Sequence, residues 1–290
     1  MWSAAGPSSV RGSRYPSRRM DDLPFSSLAW KSLATTIQGE LRHRAAGWIL
    51  KPKIQVEGVY KGCRVTGSMV GVDAPARLRI EGRGGRGLTM KFRNALHSGG
   101  EVLTDDPVFD NGVDWTVSHT GYARLWLARP VRRALAQAEF WDIGFDGGSV
   151  WAKGRRGSFG PVLHAMTQLA LRGVELGERW DAVATELGGT WRGGPLSVGR
   201  DASIQLLQGD VHVIVTPTLE RGVGLSTVVH AKAPRSVARL SAADLSEGEL
   251  RDAAPGRAIA RLEGFVDDPQ RLSALVDSMS RGLMPANPYR

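Results

Sequence analysis

The 290-residue chain is 42% hydrophobic and 23% charged, the balance of a folded protein, and it is long enough for two domains of ordinary size. Its one cysteine, Cys63, excludes an intramolecular disulfide, and no apolar run approaches the ~20 residues of a membrane-spanning helix. Of the net charge of +9, Arg11, Arg14, Arg18 and Arg19 supply +4 in a stretch without acids, which leaves a thin +5 over the rest. A mild, dispersed excess of arginine predicts solubility rather than a basic binding face.

Residues 1–24 read as a disordered basic tail, rich in serine and proline and poor in large hydrophobes. They lack the apolar stretch of a signal peptide, so the expected location is cytoplasmic. Met20, just before Asp21-Asp22-Leu23-Pro24, is an alternative start to Met1.

Order is expected from Phe25. Ser26 or Ser27 caps a helix whose apolar stripe is Leu28, Leu33, Ile37 and Leu41. Ile54, Val56 and Val59, then Lys61-Gly62, then Cys63-Arg64-Val65 read as a hairpin. Further strands are predicted over 76–81 and 88–92, joined by Gly82–Gly87, and over 114–117. Residues 122–138 read as helical, with Pro130 in the first turn of a second helical piece. Apolar runs at 141–145 and 150–152 flank Asp146-Gly147-Gly148-Ser149, a hairpin signal. A helix follows over 161–176, with Val162, Met166, Leu169 and Leu176 on one side.

From there the pattern repeats. Trp180, Ala184, Thr185, Gly189 and Arg192 match Trp30, Ala34, Thr35, Gly39 and Arg42 at a constant offset of 150, and Val183 and Leu187 replace Leu33 and Ile37. Ile204-Gln205-Leu206 aligns with Ile54-Gln55-Val56 at the same offset, and Gln208-Gly209 falls on Lys61-Gly62 after a three-residue deletion. Strands are then expected over 211–215, 223–231 and 258–262, a short helix over 241–252, and a last helix capped by Asp267-Asp268-Pro269 and running to Met279. The organisation predicted is therefore α+β: a first module over 25–178, a second, shorter one over 179–284, each an antiparallel sheet covered by helices, and a short tail at 285–290. Trp30 and Trp180 are expected to be equivalent core anchors.

The run Asp105-Asp106-Pro107-Val108-Phe109-Asp110, then Val117, Tyr122 to Leu127 and Val131-Arg132-Arg133-Ala134-Leu135, together with Glu186-Leu187-Gly188-Gly189, resembles a poorly characterised family of duplicated bacterial α+β proteins. The resemblance spans roughly residues 28–280 and implies an architecture without catalytic residues. Two departures stand out. Asp105 occupies a position where glycine is usual, and this sequence lacks the transmembrane helices such proteins often carry nearby, so membrane association does not follow.

Candidate chemistry is sparse. Asp105, Asp106, Asp110 and Asp114 could hold a hard cation, but Pro107, Val108 and Phe109 interrupt them, and capping and turn formation explain them more simply. Gly82-Arg83-Gly84-Gly85-Arg86-Gly87 resembles an Arg-Gly-Gly element, yet no Gly-Lys-Ser/Thr follows; like Gly154-Arg155-Arg156-Gly157-Ser158 it reads as an exposed basic loop. Ser149 lacks the following glycine of a nucleophile elbow. His43, His97, His119, His164, His212 and His230 show no zinc-type spacing, and His212 is expected to face solvent on a strand. Cys63 reads as an apolar filler.

No catalytic, metal or cofactor site is thereby specified. The expectation is a non-enzymatic interaction or scaffold protein with a protein partner. Nucleic-acid binding through Arg11–Arg19, Arg83, Arg86, Arg155 and Arg156, or an enzyme using the acidic cluster, are the alternatives.

Overall fold

A computed structural model describes residues 27–44, 53–71, 74–81, 89–94, 104, 106–146, 148–193, 202–220 and 224–284. Helix α1 (Ser27–Thr36) buries Trp30, Leu33 and Ala34. Its stripe is narrower than the sequence suggests, because Leu28 is 73% exposed and the helix stops before Leu41. The stop is local: Gln38 turns to φ 50°, and the amide of Gly39 donates to the carbonyl of Ala34 at 2.8 Å. Gly39 then lies so close to strand β2 that a Cβ would overlap the Glu57 carbonyl. Leu41 therefore belongs to β1 (Glu40–Arg44) and packs beside the core from there.

The expected hairpin is β2 (Lys53–Tyr60) and β3 (Cys63–Val70), with left-handed backbone at Lys61 and Gly62. After β4 (Ala76–Ile80) and β5 (Met90–Asn94), the short helix α2 (Pro107–Gly112) leads into β6 (Val113–Val117). The stretch predicted as helix over 122–138 is two helices, α3 (Thr120–Trp126) and α4 (Arg129–Gln137), with Pro130 in the first turn of the second. The hairpin β7 (Trp141–Asp146) and β8 (Ser149–Gly154) follows as expected.

These strands form one antiparallel sheet in the order β1-β2-β3-β4-β8-β7-β5-β6. β4 and β5, consecutive in sequence, are not neighbours: β4 pairs with β8, and β5 with β7 and β6. The Gly82–Gly87 segment between them lies outside the described residues, as do Asp105, His97, Arg83, Arg86 and both tails.

Helix α5 (Phe159–Glu186) is far longer than the 161–176 segment predicted, and runs unbroken through 178 and 179. Its first half packs Phe159, Val162, Leu163, Met166 and Leu169 into the core of the first sheet. Its last turns place Trp180, Val183 and Ala184 in the core of a second sheet. That sheet holds β9 (Thr190–Arg192), β10 (Ser203–Gln208), β11 (Val211–Glu220), β12 (Gly224–Lys232), β13 (Glu249–Ala254) and β14 (Arg257–Glu263), in the order β13-β14-β12-β11-β10-β9, and is wholly antiparallel. Helix α6 (Pro269–Leu283), capped by Asp268, closes it with Leu272, Leu275, Val276, Met279 and Leu283.

The helix predicted over 241–252 is absent. Ser241 and Asp244 do form a reciprocal capping box, which explains the helical signal, but only a 3₁₀ turn over Ala242–Asp244 results. Gly248 then takes φ 86° and the chain enters β13.

The protein is thus α+β and mostly sheet. Among the described residues no helix is long and apolar enough to cross a membrane.

Candidate basic face of the first sheet

Strand alternation sends Ile54, Val56, Val65, Met69, Leu78, Ile80, Val150 and Ala152 into the core beneath α1 and α5. The intervening side chains face the other way and form two rows across the sheet. One runs Arg42, Gln55, Ser68, Arg77, Lys153, Asp142, Arg93; the other runs Glu40, Glu57, Thr66, Arg79, Trp151, Gly144, Lys91. This face carries a trough of about 930 Å³, lined from Arg42 and Glu57 at one end to Trp151 and Lys153 at the other.

The charges in the trough are unevenly compensated. Arg64 pairs with Glu57 at 2.5 Å and Arg42 with Glu40 at 3.2 Å, and the Glu57 hydrogen bond raises the Arg64 pKa above its ordinary value. In the middle of the sheet the described residues supply no such partner. Arg77 sits directly opposite Lys153, and Arg79 opposite Trp151. Arg79 donates to the hydroxyl of Ser149 at 2.8 Å, and none of Arg77, Arg79 and Lys153 pairs with a carboxylate among the described residues. Like charges facing each other across strands are unfavourable. Trp151 is half-buried beside them, with room made by Gly144, where a Cβ would come within 2.9 Å of the indole.

A second cavity, of about 420 Å³, adjoins the first and shares Lys153 with it. It is lined by Pro75, Arg93, Phe140, Asp142, Arg155 and Arg156 besides Lys153 and Gly154. Asp142 accepts from Arg93 at 2.7 and 3.2 Å and pairs with Lys91 at 3.4 Å; the Arg93 hydrogen bond, against partial burial, holds its carboxyl below the usual range. The Arg156 guanidinium lies 4.3 Å from the centre of the Phe140 ring.

None of the other described candidate residues lines either cavity. Asp106 caps α2, accepting from the amides of Val108 and Phe109 and pairing with Arg132 at 3.2 Å. Asp110 is buried and accepts from the amide and hydroxyl of Thr104. Asp114 lies opposite Arg93 on β6. These three carboxylates serve as cap, turn anchor and strand partner, and neither cavity is lined by any of them. Among the described residues, no group of three or more His, Cys, Asp or Glu could hold a metal ion. His212 is exposed on β11 opposite Lys232, His230 on β12 opposite Ile214, and His43 on β1 opposite Ile54; His119 precedes α3 and His164 lies within α5. Cys63 is buried in the core at the start of β3, and Ser149 is buried at the start of β8.

Of the basic loops singled out in the sequence, only Arg155 and Arg156 are described, and they line the smaller cavity. Arg77, Arg79, Lys153 and Trp151 were not singled out. Their signal was present as period-two alternation in Arg77-Leu78-Arg79 and Trp151-Ala152-Lys153, but nothing local says that these two strands pair.

The fold and site define an antiparallel α+β protein with an open basic sheet face. No protein family, curated protein or solved structure matches the chain.

Proposed function

We propose that this is a duplicated, cytoplasmic, non-catalytic interaction protein of bacterial type that holds an acidic segment of a protein partner in the trough of its first sheet. The observation that carries the reading is the triad of Arg77, Arg79 and Lys153 in the middle of that face, which pairs with no carboxylate among the described residues. Clustered cations without counter-charges cost stability, and an acidic partner offsets that cost on binding while gaining charge-assisted hydrogen bonds. The polar side chains around them, Gln55, Thr66 and Ser68, supply further hydrogen-bonding capacity.

The duplication is supported by correspondences at the 150-residue offset. Trp30 and Trp180 are both fully buried. The amide of Gly39 donates to Ala34 at 2.8 Å, and that of Gly189 to Ala184 at 2.7 Å; Gln38 and Gly188 both take positive φ. The order β1-β2-β3-β4-β8-β7 has its counterpart in β9-β10-β11-β12-β14-β13, with β5 and β6 as additions to the first sheet. Kinship with the duplicated bacterial α+β proteins is part of the same proposal.

The test is fluorescence anisotropy with a labelled acidic peptide, Glu-Gly-Glu-Ser-Glu-Gly-Glu, against the full chain and its R77A/R79A variant. Each lost charge-assisted contact is worth about tenfold, near 1.4 kcal/mol, so the double variant is expected to bind at least about tenfold more weakly. Unchanged affinity in the variant overturns the reading.

A second reading has its own observation. Trp151 beside Arg79, and Phe140 beside Arg156, interleave aromatic rings with cations, as in surfaces that hold single-stranded nucleic acid. Oligothymidylate that binds more tightly than the acidic peptide, with affinity falling steeply in salt and lost in Trp151→Ala, favours it.

A further inference from the structure

We propose that the smaller cavity is a phosphate-monoester site, filled by a phosphoseryl or phosphothreonyl side chain of the segment held in the trough. The presentation by a peptide rests on the reading above; the phosphate chemistry rests on the cavity itself.

Three features converge there. The first is charge. Lys153, Arg155 and Arg156 line a space of about 420 Å³ and have no carboxylate partner among the described residues. Asp142, directly opposite Lys153 across β7 and β8, is already engaged by Arg93 and Lys91. The one acid among the described lining residues is thus satisfied from β5, and three cations remain. A phosphate monoester brings about −1.5 to −2 charges and three acceptor oxygens, which matches that set better than a single carboxylate does. The fixed fork of arginine suits its geometry.

The second feature is orientation. Arg156 rests on Phe140, so its guanidinium is held in place rather than free to sample solvent. The ring face it covers is not open for a base to stack on, which favours a phosphorylated side chain over a nucleotide. The third is backbone strain. Phe140 takes φ 65°, a conformation that bulky residues rarely adopt, and its ring is 52% exposed, so the strain is not offset by burial. Holding an exposed aromatic in that conformation at a cavity rim is explicable when the ring positions Arg156 for a ligand.

Lys153 gives the site its connection to the trough, since it lines both cavities. A segment lying along Arg77 and Arg79 brings a phosphorylated residue past Lys153 and into reach of Arg155 and Arg156.

The experiment titrates the full chain with Glu-Gly-Glu-Ser-Glu-Gly-Glu, with the same peptide carrying phosphoserine, and with free O-phosphoserine, followed by calorimetry. Phosphorylation is expected to tighten binding to the native chain about tenfold, and to change it less than about twofold in R155Q/R156Q. The unphosphorylated peptide is expected to bind both proteins alike. R77A/R79A is expected to weaken both peptides while keeping their ratio. If no peptide binds but O-phosphoserine binds the native chain and not R155Q/R156Q, the cavity assignment stands and the trough reading falls. Equal affinity of the two peptides for the native chain, without O-phosphoserine binding, overturns the proposal. So does a phosphorylation gain that persists in R155Q/R156Q, or oligothymidylate competing through Arg155 and Arg156 where phosphopeptide shows no gain. Phe140→Ala provides an independent variant, which is expected to reduce the phosphorylation gain without altering binding of the unphosphorylated peptide.

Discussion

Arg77 and Lys153 face each other directly across strands β4 and β8, with no carboxylate paired to either among the described residues. Arg79 stands one position further along the same face, so the middle of the sheet carries three cations that no carboxylate among the described residues neutralises.

Arg77→Glu replaces the repulsion by an opposed pair with Lys153. Cross-strand charge pairs are worth roughly 0.2–1 kcal/mol, so the variant is expected to be slightly more stable than the native chain. Urea denaturation followed by circular dichroism measures this. The same substitution is expected to abolish binding of the acidic peptide, and a variant that is more stable yet binds undiminished would sink the proposed role of the trough.

The two tryptophan anchors give a second prediction. Trp30 packs on Phe159 with ring centres 4.9 Å apart, and Trp180 stacks on Phe265 at 5.0 Å; both are fully buried. Trp30→Ala and Trp180→Ala are each expected to cost about 3–5 kcal/mol. Equilibrium unfolding in urea should give midpoints lowered to a similar degree, since both substitutions empty a comparable space beneath a sheet.

Gly39 and Gly189 differ in how tightly the next strand approaches. A Cβ at Gly39 overlaps the carbonyl of Glu57, whereas at Gly189 the nearest atom, the carbonyl oxygen of Gln205, is at 2.9 Å. Backbone cannot swing aside as a side chain can, so Gly39→Ala is expected to destabilise by about 2–3 kcal/mol and Gly189→Ala by less. Thermal melts of the two variants check the order.

The Arg93–Asp142 pair predicts a pH dependence. Its hydrogen bond holds the Asp142 carboxyl below its usual range, so at mildly acidic pH the folded chain binds fewer protons than the unfolded one. The stabilisation is present above the ordinary carboxylate range and is lost as pH falls through the lower folded value. Asp142→Asn is accordingly expected to be less stable than the native chain at neutral pH, with the difference shrinking as pH falls below about 4. Denaturation midpoints measured across that interval provide the check.

Much of the fold was legible locally. The β2–β3 hairpin, the β7–β8 hairpin around its glycines, the break before Pro130 and the cap of α6 all follow from residues within a few positions of one another. The same locality misled at Ser241, where a true capping box starts only a 3₁₀ turn that ends at Leu245, and at 161–176, where no local signal shows that the helix runs on unbroken to Trp180 and Glu186.

By itself the sequence determined the class, α+β with antiparallel hairpins, and the alternation that sets Arg77 and Arg79 on one face of a strand and Lys153 on one face of another. Only the tertiary structure decided that these two strands are neighbours, that β5 is not, and that Arg155 and Arg156 meet Phe140, Arg93 and Lys153 around one cavity. The reason is physical: a strand's two faces are fixed by its own period of two, whereas its partner is chosen by long-range packing across a distant loop closure, which leaves no periodic trace in the chain.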